Sequence, residues 1–113
     1  MIRKIYDAPH AEALIPLLRS ITNEIQEREE AIDRLTARLH VSKDGDNVTD
    51  ARLNLEANLA DHKRERRLAL RELERLGCAL DLDHPLRVLI PGDAKGLARR
   101  FAWSPEDATI QTG

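Results

Sequence analysis

The chain has 113 residues, 42% of them hydrophobic and 34% charged, with one Phe, one Trp, one Tyr, one Cys and a formal net charge of -2. That length holds one domain with a modest core, and a profile rich in Leu, Ala, Glu and Arg favours long exposed helices over packed sheets. The charge gives no whole-chain pull toward nucleic acid or anionic lipid, one cysteine cannot close an internal disulfide, and no apolar run reaches the 18 residues of a membrane span.

The start, "MIRKIYDAPH", lacks the apolar stretch of a signal peptide, so a cytoplasmic protein is expected. Residues 1–7 read as an extended segment able to add an edge strand or to pack beneath a sheet. Asp7 is a plausible N-cap, and Pro9 suits a first helical turn. From there Leu14, Leu18, Ile21, Ile25, Ile32, Leu35 and Leu39 step at alternating intervals of four and three, with Arg28 in the one slot that should be apolar. This is the seam of a helix lying along another helix, and it predicts helix 1 over 8–40. Pro16 removes a backbone donor near its start and should kink it.

"VSKDGDNVTD", at 41–50, is turn chemistry, with Thr49 or Asp50 as the next cap. Its Asp44, Asp46 and Asp50 lack the Gly and Glu positions of a calcium loop. Helix 2 is predicted over 50–80, with Leu55, Leu59, His62, Arg66, Ala69, Leu73, Leu76 and Leu80 on its seam. Equal lengths and a short connection predict an antiparallel hairpin. Folding about residue 45 brings Leu18 to Leu73, Leu35 to Leu55 and Arg28 to His62. Arg28, His62 and Arg66 then form a basic layer in a Leu-lined interface, with Glu24, Glu27 and Glu65 within a turn. Such a layer either sets the register of the two helices or holds an anion or small ligand. The basic run "HKRERRLALRELER" is interrupted by Glu65, Glu72 and Glu74 and carries no aromatic for base stacking, so it reads as a solvated face rather than a nucleic-acid surface.

Gly77 lies near the end of the helix 2 pattern and can help to terminate it. The period then switches to two: "LRVLI" places Leu86, Val88 and Ile90 on one face, "LARRFAW" places Leu97, Phe101 and Trp103 on one face, and "ATIQT" is a short last strand. A three-stranded antiparallel meander over 86–112 follows, within a region 81–113, and it buries Phe101 and Trp103 against the start of helix 1 and the end of helix 2. Cys78 and His84 are too few for a zinc site and lack the pocket of a nucleophile pair; both read as structural. No catalytic, cofactor-binding or metal-binding residue is assigned.

The opening "IYDAPHAEALIPLLRSI" resembles that of the uncharacterised bacterial family catalogued as domain of unknown function 2203. Tyr6, Asp7, Ala11, Ala13, Leu14, Ile15, Pro16 and Leu18 fit its aromatic, cap and A-N-A-L-L-P-x-L pattern, with Glu12 where Asn is usual. Leu76, Gly77, Leu80, Asp81, Val88, Pro91 and Trp103 follow the order of its helix end and β segment, Asp81 standing one place early. The resemblance implies two long charged helices, a short β segment and no particular reaction. Members continue with a Trp-His segment and a G-F-A-G-R-like segment that this chain lacks, so any activity carried there is expected to be missing from this shortened member.

The fold expected is thus a mainly α single domain, 1–113: a long coiled-coil-like hairpin with a small C-terminal sheet. Ile15, Leu17, Leu53, Leu68 and Leu70 lie off the seams. Covering them by pairing two hairpins into a four-helix bundle predicts a homodimer acting in self-association or protein interaction.

Overall fold

A computed structural model describes residues 5–42, 50–81, 83–84, 86–94 and 97–112. Helix α1 (Ala8–Ala13) leads into α2 (Ile15–Ser42), and α3 (Asp50–Arg75) returns alongside α2. Strands β1 (Ala79–Leu80), β2 (Val88–Ala94), β3 (Leu97–Trp103) and β4 (Gln111–Thr112) form one antiparallel sheet in the order β1-β2-β3-β4. The molecule is elongated, 64 × 30 × 21 Å, because the hairpin runs on well beyond the sheet.

The helix starts as its sequence dictates. The Asp7 side chain caps α1 by accepting from the His10 amide at 2.9 Å, and Pro9 occupies the first turn. That amide, then the His10 ring at 2.6 Å, hold the Asp7 carboxyl below its ordinary range. The single helix expected over 8–40 is two. The Leu14 amide bonds tightly back to the Ala11 carbonyl at 3.1 Å, and Pro16 has no N–H to continue the ladder. The break is small: Leu14 stays right-handed helical, and the Leu18 amide reaches the Leu14 carbonyl at 2.8 Å. The far end of α2 extends to Ser42; Asp44, Asp46 and Thr49 lie outside the described residues.

The second helix ends five residues earlier than its seam suggested. Gly77 takes φ 79°, its amide donates to the Glu74 carbonyl at 2.9 Å, and the Cys78 amide donates to the Leu73 carbonyl at 2.9 Å. This pair of bonds is a Schellman cap, which needs a left-handed residue where Gly77 stands. Leu80 therefore leaves the helix seam and pairs with Val88 as part of β1, so the described sheet has four strands rather than three. Leu86 also departs from the expected strand. It adopts φ 63°, ahead of β2, yet still packs against the core. The last strand shrinks from "ATIQT" to Gln111–Thr112. The Leu97 side chain is outside the described set.

The core lies at one end of the hairpin. Trp103, Phe101, Val88 and Ile90 from the sheet meet Ala11, Ile15, Leu18, Ile21 and Ile25 from α1 and α2, and Ala69, Leu73 and Cys78 from α3 and its end. Leu18 and Leu73, expected to face each other, are both fully buried there. Ile15 and Leu70 belong to this core: Ile15 is buried and Leu70 packs against it, so neither contributes the exposed apolar surface expected of it. Thr22 is buried as well, and its hydroxyl donates to the Leu18 carbonyl at 2.9 Å, which satisfies it within its own helix.

Polar ties fix sheet to helices. Above Trp103 lies the Arg19 guanidinium, 5.1 Å from the ring centroid, donating to the Pro105 carbonyl at 2.8 Å and the Asp107 carbonyl at 3.3 Å. The indole N–H donates to the same Asp107 carbonyl at 3.1 Å, and the Glu12 carboxylate accepts from the Ile110 amide at 3.1 Å. The N-terminal segment makes a single parallel bridge, Tyr6 to Gly92, with the Tyr6 amide on the Pro91 carbonyl at 2.9 Å. The Tyr6 hydroxyl reaches the Leu76 carbonyl at 2.7 Å, and its burial, then the nearby Cys78, raise its pKa.

Leu18→Ala should lower the free energy of unfolding by about 3 kcal/mol, the scale of a buried Leu truncation that leaves a cavity. Leu55→Ala, at a half-buried seam position far from the sheet, should cost less than half as much. Urea denaturation of both variants checks this; equal losses would mean that the core extends along the whole hairpin.

Candidate functional site

The polar layer sits midway along the helix pair. Arg28 NH1 lies 3.0 Å from His62 Nδ1. A guanidinium can only donate, so Nδ1 accepts, and the contact requires a neutral ring with its proton on Nε2. Arg28 Nε also donates to Glu24 Oε1 at 2.6 Å, one turn back on α2. That bond, with the fields of Glu24, Glu65 and Glu27, raises the Arg28 pKa against the opposing effect of burial. Arg66 is half-buried and makes no hydrogen bond or ion pair with a described residue. The structure thus joins Arg28 to His62 directly and adds Glu24 as the partner that compensates Arg28.

Chemically this is a charge-assisted cross-link more than an open receptor. Two edges of the Arg28 guanidinium are taken by Glu24 and His62, and a ring that accepts from arginine presents its N–H on the other side. Removing Arg28 would leave no unpaired buried cation, because His62 is neutral in this contact. Arg28→Leu should therefore preserve the fold and hold or raise the melting temperature. Melts across an inorganic phosphate series, run on both forms, should shift equally. A phosphate-dependent rise seen only with Arg28 present would show an anion held by the layer.

A second feature borders the layer. A shallow groove of about 270 Å³ lies between α2 and α3, lined by Glu24, Glu65, Leu68, Ala69, Arg71, Glu72 and Arg75. Leu68 is 46% exposed there. Its place was legible only as an off-seam leucine; the groove depends on how the two helices pack.

The helix end that carries Cys78 has the geometry of a joint. The thiol is buried, 3.9 Å from the Leu76 carbonyl, while His84 is exposed. Asp81 accepts from the Asp83 amide at 2.9 Å, closing a local turn. Among the described residues no group of three His, Cys, Asp or Glu side chains is placed to hold a metal ion, and no helix is long and apolar enough to cross a membrane. Cys78→Ala should leave fold and molar mass unchanged with a modest loss of packing. Stoichiometric zinc released by a thiol reagent would overturn the structural role. Sequence reasoning missed the polar ties of Arg19, Asp107 and Glu12, because pairs separated by about a hundred residues leave no periodic signal.

No curated protein and no solved structure matches this chain. A family match does exist, described as an uncharacterized conserved protein, and it covers residues 4–112. That span takes in the capped helix start, both long helices, the Gly77 helix end and the sheet together. The chain belongs to the DUF2203 family of uncharacterized conserved proteins.

Proposed function

We propose that this protein is a self-association module, in which two hairpins pair through their helices into a four-helix bundle. The observation that carries this reading is the pair Leu17 and Leu68, 45% and 46% exposed. Leu17 stands seven residues before Glu24, on the groove side of α2, and Leu68 forms part of the groove wall on α3. A full Leu side chain moved out of water contributes roughly 1.5–3 kcal/mol, so an uncovered pair is a substantial driving force for association. The reading includes a cytoplasmic setting, in keeping with a single cysteine.

A ligand-binding or catalytic role at Arg28, His62 and Arg66 has less support. Arg28 is engaged within the chain, and the groove beside it mixes carboxylates and guanidinium groups instead of converging on one charge. On the self-association reading, Arg28 and His62 keep the two helices in register.

Light scattering at micromolar concentration should return twice the 12.8 kDa chain mass. A monomeric mass would overturn self-association.

A further inference from the structure

Between residues 61 and 75, α3 carries a charge pattern that inverts about Leu68. Counting outward from Leu68, Glu65 mirrors Arg71, Arg64 mirrors Glu72, and Asp61 mirrors Arg75. Every mirrored pair is of opposite sign. All these residues fall on the helical face of Leu68, since offsets of three, four and seven residues return to one side of a helix. They are exposed, except Glu65, which is half-buried. Leu70, two residues on and about 200° round the helix, packs on the core, whereas Leu68 is exposed in the groove.

We infer that this face of α3 docks on the same face of a second copy, antiparallel, across a two-fold axis at Leu68. This rests on the self-association reading and specifies it. A two-fold contact is isologous, so its surface must be complementary to itself, and an antiparallel helix pair centred on Leu68 meets that requirement. Leu68 meets Leu68 of the second copy at the axis, and each mirrored pair becomes two intermolecular ion pairs. The contact runs about 21 Å at 1.5 Å per residue. Within one chain Arg64 pairs with Asp61 at 3.0 Å and Arg75 with Glu72 at 3.1 Å, and both pairs are exposed. Exposed pairs of this kind hold their geometry weakly, so exchanging them for intermolecular partners costs little. Docking here also brings the grooves of the two hairpins together, giving four helices in contact. The interface is polar around a small apolar centre, so the dimer weakens as salt rises.

Reciprocal charge exchange tests the register. R71E sets like charges opposite each other twice, by symmetry, and should raise the dimer dissociation constant about tenfold or more. E65R/R71E restores opposite signs at both contacts and should restore the dimer. In a Cys78→Ala background, Leu68→Cys should form a disulfide-linked dimer under mild oxidation. Leu53→Cys should not, because its copies would stand about 45 Å apart along the axis. Far-ultraviolet circular dichroism and thermal melts establish that each variant is folded. A wild-type dimer that R71E leaves intact, that the double variant fails to restore, or that Leu68→Cys does not cross-link overturns this face while self-association stands. A monomeric wild type overturns both.

Discussion

The structure depends on the burial of Trp103 against the first turns of α2. It is the largest fully buried side chain in the molecule's described core, and contacts from three regions converge around it. A large aromatic contributes its area only if its N–H is satisfied. Here the Asp107 carbonyl accepts from the indole and from Arg19 together, so one backbone oxygen joins ring, loop and helix. With the sheet fixed by this ring, α2 is held at Leu18 and Ile15, and α3 is held at Leu73. Beyond this cluster the helix pair buries Ala31 and Ile32 along its seam. This explains why a chain with so few aromatics can sustain an extended hairpin.

Much of this was legible in the sequence, for reasons that differ by element. The alternation of three and four between Leu14 and Leu39 follows from helical geometry alone, and so the α2–α3 pairing was visible, with Arg28 brought to His62. The boundaries were less visible. Leu80 fits the heptad of helix 2 as well as it fits a strand, and periodicity cannot tell the two apart. The decision falls to Gly77, whose left-handed conformation closes the helix three residues before Leu80. Leu86 matched an alternating pattern, yet it sits at a left-handed turn, which nothing in a leucine announces. Ile15 and Leu70 looked like surplus apolar surface because the seam had been drawn for a helix partner. The sheet is a second partner on a different side of the same helices, and a single stripe does not encode two neighbours.

The polar layer shows the same limit. Its composition could be read, but not its internal order. Sequence placed three basic groups together. The structure joins Arg28 and His62 by a hydrogen bond and compensates Arg28 with Glu24. Charge bookkeeping along one helix misses this, because the compensating groups are chosen by rotamer and by the partner helix. Membership of an uncharacterized family adds continuity over nearly the whole chain without adding chemistry.

The unequal sharing of the core has a dynamic consequence. The near end of the hairpin is held by the sheet, the Tyr6 strap and the Arg19 clamp, whereas beyond the buried Ala31 and Ile32 the described seam leucines Leu35, Leu39, Leu55 and Leu59 are half-buried. Opening free energies should therefore be highest near Leu18 and Leu73 and fall along the helices away from the sheet. Amide hydrogen exchange would then be graded along a single helix, with protection lost turn by turn away from the tryptophan. The chain would behave as a rigid head carrying a breathing stalk.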